Sequence, residues 1–171
     1  MRYDENVLAR VKSAAYLGLS CLPVEVEVDV AERGFPGLSI VGLPTKAVEE
    51  AKERVKTALT NCGYEFPAKK ITVNLAPADV PKEGAAYDLP IALGILAAAG
   101  EVPEVPEALF YGELGLDGAL RHTRGVMLVA MLAASEKVEQ IFVPRLSANE
   151  AAAVDKVKVM PVTKLPELVN F

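Results

Sequence analysis

The chain has no tryptophan, one histidine and only two cysteines among its 171 residues. Cys21 and Cys62 stand too far apart for a CxxC pair, and one histidine cannot complete a Cys/His zinc site. Neither a disulfide framework nor a metal centre is therefore encoded, and both cysteines are expected to be buried thiols. Basic residues are in deficit: 18 Lys+Arg against 23 Asp+Glu leave a net charge of −5 and an isoelectric point near 5.0. Phosphate affinity rests on clustered Lys and Arg that release counterions, so the isolated chain is expected to bind duplex DNA only weakly at physiological salt. Apolar runs stay short of the roughly 18 residues a membrane helix needs. The start MRYDENVLARVK lacks the apolar core of a secretory signal, so a cytoplasmic protein with no membrane partner is expected.

Nucleotide motifs are missing too. No GxxxxGK[ST] string occurs, and no GxGxxG follows the first strand, so the phosphate cradles of both common nucleotide-binding folds are not encoded. The serines Ser13, Ser20, Ser39, Ser135 and Ser147 are candidate exposed hydroxyls, but none lies in GxSxG or SxxK.

What the chain does contain is 51% apolar and 24% charged residues, with mean hydropathy +0.26, enough to bury the core of one ordinary domain. Val24, Val26, Val28 and Val30 alternate with Glu25, Glu27 and Asp29, the period of a half-exposed strand. LSIVG at 38–42 reads as a short buried strand, and Ile71, Val73 and Leu75 mark another. Between them Thr45 is placed to cap a single amphipathic helix, with Val48, Ala51, Val55, Ala58, Leu59 and Cys62 on one face and Gly63 at its end. Asp88 is placed to cap a second helix, almost wholly apolar from Ile91 to Ala99 and stopped by Gly100. An exposed connector at 101–107 leads to ALFYGELGL and ALRHT. These flank Asp117-Gly118, a two-residue hairpin signal. A helix at 125–134, the strand QIFVP, a small helix at 147–154, the strand VKVMPV and a helical stretch at 163–170 complete one α+β domain, a mixed sheet packed with helices.

The loop APADVPKEGAAYD carries Asp79, Lys82, Glu83, Gly84 and Asp88, residues able to do acid/base or metal work. The simpler reading is structural, with Asp88 capping a helix and the other acids pairing with Lys82 at the surface. His122 lies between Arg121 and Arg124 with no carboxylate partner in view, a poor catalytic base. Lys69-Lys70 and the RHTR group are the basic clusters, so Lys69, Lys70, Arg121 and Arg124 are the candidate phosphate contacts.

The run ITVNLAPADVPKEGAAYDLPIALGILAAAG, then GELGLDGALRHTRGVMLVAMLAA and IFVP, resembles the N-terminal domain of the magnesium-chelatase-like AAA+ proteins, the ComM/YifB competence family. The likeness runs from VLARVKSAAYLGL to VTKLPELV, nearly the whole chain. That domain is itself similar to the proteolytic domain of Lon, in the ribosomal-protein domain-2-like superfamily. The resemblance implies a Lon-like fold over residues 1–171 with the AAA+ ATPase module absent from this chain, an excised piece or a truncated product. In Lon-type peptidases a proline-lysine-acid-glycine loop precedes a nucleophilic serine, and a lysine on a later helix takes its proton. Pro81, Lys82, Glu83 and Gly84 match the loop, but Ala86 falls at the serine position and Met127 at the lysine position. Neither a methyl group nor a thioether can replace its counterpart, so a pseudo-protease is expected, not an enzyme.

The implied role is a non-catalytic accessory or interaction domain of an ATPase that processes DNA by branch migration during natural transformation. Its partners would be its own AAA+ module and neighbouring ring subunits, reaching DNA through the parent protein. ATP and magnesium would belong to that module, leaving no cofactor or metal here and a monomer when isolated. The alternatives are a divergent peptidase and a magnesium-chelatase subunit. The partner-binding loop would be Asp79, Lys82, Glu83, Gly84 and Asp88.

Overall fold

The computed structural model describes residues 7–170. The first six residues of the MRYDENVLARVK start, and Phe171, lie outside the described residues. In chain order the elements are β1 (Val7–Leu17), β2 (Ser20–Ala31), β3 (Gly37–Val41), α1 (Lys46–Glu49), α2 (Ala51–Asn61), β4 (Lys70–Ala76), α3 (Asp88–Ala98), β5 (Ala108–Phe110), β6 (Glu113–Leu114) and β7 (Leu120–Arg121). They continue with α4 (Val126–Ser135), β8 (Gln140–Pro144), a 3₁₀ turn (Arg145–Ser147), α5 (Ala148–Ala151), β9 (Lys158–Val162) and α6 (Pro166–Val169).

Seven strands form one mixed sheet in the order β3-β4-β2-β1-β5-β8-β9. β2 pairs antiparallel with β1 and β4, whereas β3–β4, β1–β5, β5–β8 and β8–β9 are parallel, so β2 alone runs against the others. The connections that leave β3, β4, β5 and β8 therefore all emerge at one end of the sheet.

Alternation along the strands sorts side chains to two faces. Ala9, Val11 and Ala15 of β1, with Phe110 and Phe142, join α2 and α3 in the larger core. Ala14, Leu109, Ile141 and Val143 point the other way and pack with α4 and α5. Phe110 and Phe142 stack with centroids 4.8 Å apart. Helix α3 is buried on nearly every side, and a Cβ at its Gly94 would come within 2.5 Å of Val28. No described helix is long and apolar enough to cross a membrane.

Several expectations need correction. LSIVG is not a buried strand: β3 lies at the sheet edge, and only Ile40 is buried. The helix from Thr45 is broken at Glu50 into α1 and α2, and Thr45 makes no side-chain cap; its Oγ1 is buried without a hydrogen-bond partner. ALFYGELGL is not one arm of a hairpin, because β5 joins the main sheet and only Glu113–Leu114 pairs with β7. That hairpin does not turn in two residues. Gly118 N–H donates to Gly115 O at 2.9 Å, closing a four-residue turn in which Gly118 alone takes positive φ (78°). A two-residue turn does occur at Gly18-Leu19, between β1 and β2, where no turn was expected. The thiols of Cys21 and Cys62 are only part-buried. Ser13 and Ser147 are not exposed but about 1% accessible.

Candidate binding cleft

A cleft of about 250 Å³ opens at the end where β1 and β5 finish and the long connections emerge. Open sheets bind ligands there because the outgoing connections splay apart at the carboxyl ends of parallel strands. Tyr16 near the end of β1 and Tyr111 just after β5 line it, with Glu83–Ala86 on one side and Glu113 and His122–Arg124 on the other.

Three devices tie the 77–87 connection to the rest of the fold. Lys82, fully buried, donates its ammonium to the carbonyls of Gly42 (2.8 Å) and Pro77. Its backbone is tied to the β3–α1 turn, Lys82 N–H to Leu43 O at 3.2 Å and Thr45 N–H to Lys82 O at 3.1 Å. Burial lowers the Lys82 ammonium pKa, while the charge of Asp79 opposes this. Lys82 is thus an interior staple and does not pair with acids at the surface.

The second device is Asp88. Its carboxylate does not cap α3; it is fully buried and accepts from Arg54 Nε (2.7 Å) and Nη2 (3.1 Å) and from the Leu114 amide (3.2 Å). One carboxylate thereby ties α2, α3 and β6 together. Burial pushes the Asp88 carboxyl up to about 6, against the opposing pull of Arg54 and the Leu114 amide. The third device supplies the start of α3 with a backbone partner: Leu89 N–H donates to Gly112 O (3.0 Å), and Gly112 N–H donates to Ala86 O (2.9 Å). Gly112 sits tightly there, its absent Cβ 3.2 Å from Pro144.

The opposite wall is built the same way. Tyr111 donates its hydroxyl to Arg124 O (3.1 Å), and burial raises its pKa. The Ser147 hydroxyl accepts from Thr123 N–H (2.9 Å). Gly125 starts α4 at φ 83° against the Tyr16 ring, leaving 3.1 Å for a Cβ. His122 does have a carboxylate neighbour, Glu150, with Nε2–Oε1 at 3.4 Å, both half exposed.

The expected site residues are only partly brought together. Glu83, Gly84 and Ala86 line the cleft and Arg124 faces it, while Lys82 and Asp88 are buried supports and Asp79 is exposed outside it. Met127 is 48% exposed on α4 and is not among the lining residues. Lys69, held by Glu32 at 2.7 Å, and Lys70 lie at the start of β4, the end of the sheet away from the cleft, so the four candidate phosphate contacts do not form one patch. Sequence reasoning missed Tyr16, Tyr111, Glu113, Thr123 and Arg54. Arg54 reads as one more charge on the polar face of a helix, and no spacing rule links it to Asp88, 34 residues on.

This geometry defines an α/β domain that presents a cleft at the carboxyl ends of parallel strands. The family model described as subunit ChlI of Mg-chelatase matches residues 26–147. Competence protein ComM of Haemophilus influenzae is 43% identical over 166 residues, 96% of this chain and 32% of that protein. The uncharacterized protein YifB of Escherichia coli K12 is 51% identical over 122 residues, 70% of this chain and 24% of that protein. An uncharacterized protein of Mycobacterium tuberculosis is 38% identical over 166 residues, 96% of this chain and 33% of that protein. The chain belongs to the ChlI-like magnesium-chelatase family and is similar to its ComM and YifB members. It spans about a third or less of the length of these relatives.

Proposed function

We propose that this chain is a non-catalytic, Lon-like accessory domain of a ComM-type AAA+ ATPase, and that its cleft holds an extended segment of a partner without cutting it. The observation that carries this reading is the cleft itself, with a methyl group, Ala86, on its wall where a Lon-type peptidase would place its serine. Two tyrosines give it apolar surface, while Glu83, Glu113, His122 and Arg124 mix charges at its rim, a lining suited to a peptide backbone with varied side chains. In the parent protein the partner is a segment of the AAA+ module or of a neighbouring ring subunit. The name of the Haemophilus relative supports a role of the parent protein in competence, and DNA processing in natural transformation is the activity we assign to it, with ATP and magnesium held in the motor.

Incubation with an unfolded protein is expected to release no peptides. In an ¹⁵N spectrum of the chain, adding peptides that tile the AAA+ module is expected to shift the amides of Gly84–Ala86 and Glu113. Peptide release would restore the peptidase reading, and shifts confined to other surfaces would refute the cleft as the binding site. The doubly substituted Ala86→Ser, Met127→Lys chain tests the Lon-like alignment. Its crystal structure is expected to place the new hydroxyl and amine near hydrogen-bond reach, about 3 Å, and a separation beyond about 10 Å would refute the alignment.

A further inference from the structure

Among the described residues, strand β3 has β4 on one side and no strand on the other. Natural edge strands carry charges, prolines or bulges, because their unpaired N–H and C=O groups accept any extended chain. The opposite edge, β9, has such protection in Lys158 and Pro161. β3 has none between Gly37 and Val41. The whole segment GFPGLSIVGLPT, residues 34–45, is uncharged in a chain that is 24% charged. Its apolar side chains stand in solvent: Phe35 is 94% exposed, Leu43 53% and Val41 47%.

The backbone register shows which groups are free. Gly37 N–H donates to Lys69 O at 3.2 Å, so Gly37, Ser39 and Val41 turn their backbone groups toward β4, and Leu38 and Ile40 turn theirs outward. The side chains alternate oppositely, Ile40 into the core and Ser39 and Val41 into solvent.

We propose that β3 pairs with β3 of a second copy of this chain, antiparallel about Ser39, joining two sheets edge to edge. In this register Leu38 of one copy lies opposite Ile40 of the other, and these residues exchange the outward-facing hydrogen bonds. Ser39 meets its own counterpart, Gly37 meets Val41, and Phe35 of each copy is brought to the Leu43 end of the other. A second copy is the occupant this segment selects, because its large apolar residues fall in pairs equidistant from Ser39, Leu38 with Ile40 and Phe35 with Leu43. That is the self-complementarity a two-fold interface requires. No like charges meet at the axis, and the nearby α2 residues Lys52, Glu53 and Lys56 carry both signs. None of the β3 residues lines the cleft, so the proposal stands apart from the functional reading.

Covering Phe35, Val41, Leu43 and the two edges buries on the order of 900 Å² in total, below the roughly 1,200 Å² at which stable interfaces begin. The dimer is accordingly weak and reversible, and the chain is a monomer when dilute. Sedimentation velocity from roughly 10 µM to 1 mM is expected to show a rising dimer fraction, consistent with an interface of this size. Ser39 is exposed, so substitutions there leave the fold intact, as circular dichroism will check. Ser39→Lys sets two ammonium groups opposite each other and is expected to weaken the dimer at least about fivefold, and Ser39→Glu likewise. An equimolar mixture of the two variants is expected to recover a heterodimer. A chain monomeric at every concentration, a dimer indifferent to Ser39→Lys, or a mixture without heterodimer would overturn the proposal. So would a monomer whose β3 amides respond only to an added extended peptide.

Discussion

Replacing Arg54 with methionine strands the Asp88 carboxylate in the interior. In the native protein Asp88 is fully buried, with two hydrogen bonds from Arg54 and one from the Leu114 amide. Removing one partner of a buried ion pair costs about 3–5 kcal/mol, because the remaining charge keeps its desolvation penalty without compensation. The Leu114 amide remains and Arg54 is itself 21% exposed, so the lower end, about 3 kcal/mol, is expected near pH 8. The pH dependence separates this cause from lost packing. Burial already holds the folded carboxyl at about 6, above its ordinary 3.8. A carboxyl raised on folding binds its proton more tightly when folded, so its contribution to stability falls as pH rises from the unfolded to the folded value. Without Arg54 the folded value rises further, each additional unit being worth about 1.4 kcal/mol. Both proteins hold Asp88 protonated near pH 5, so the difference between them is expected to shrink by about 1 kcal/mol or more relative to pH 8. Glu50 and Glu113 lie near the pair, and their charges act in both proteins. Urea unfolding followed by circular dichroism at the two pH values measures both quantities. A cost below about 1 kcal/mol near pH 8, or one that grows toward pH 5, would refute the assignment of Asp88 as a buried, Arg54-compensated carboxylate.

Two further substitutions probe a tightly packed turn and a buried support of the cleft. Gly118→Ala is expected to destabilise by about 2 kcal/mol or more, since its Cβ would fall 2.2 Å from Cys62 Sγ at φ 78°; thermal melts of the single variant and of Gly118→Ala with Cys62→Ala, which should recover part of the loss, are the check. Lys82→Met leaves the carbonyls of Gly42 and Pro77 without their buried donor, for an expected cost of about 2 kcal/mol and faster amide exchange across 77–86; unchanged exchange there would show that Lys82 does not hold the connection.

Much of the secondary structure was legible in the sequence, because local spacing specifies it. The alternating valines of 24–30 have one register that hides them, and the apolar block 91–99 between Asp88 and Gly100 has no polar face to leave in water. The family, too, was legible, from strings covering nearly the whole chain. Strand order, burial of single polar groups and the cleft were not. Nothing local says that β2 alone runs against its neighbours, that LSIVG ends at an edge, or that a loop lysine and a helix-start aspartate face inward. The burial of those two side chains draws on partners 26–40 residues away: Arg54 and Leu114 for Asp88, Gly42 for Lys82. A polar side chain can be buried only where such a partner compensates its lost hydration, and which partner arrives is decided by how the sheet brings distant segments together.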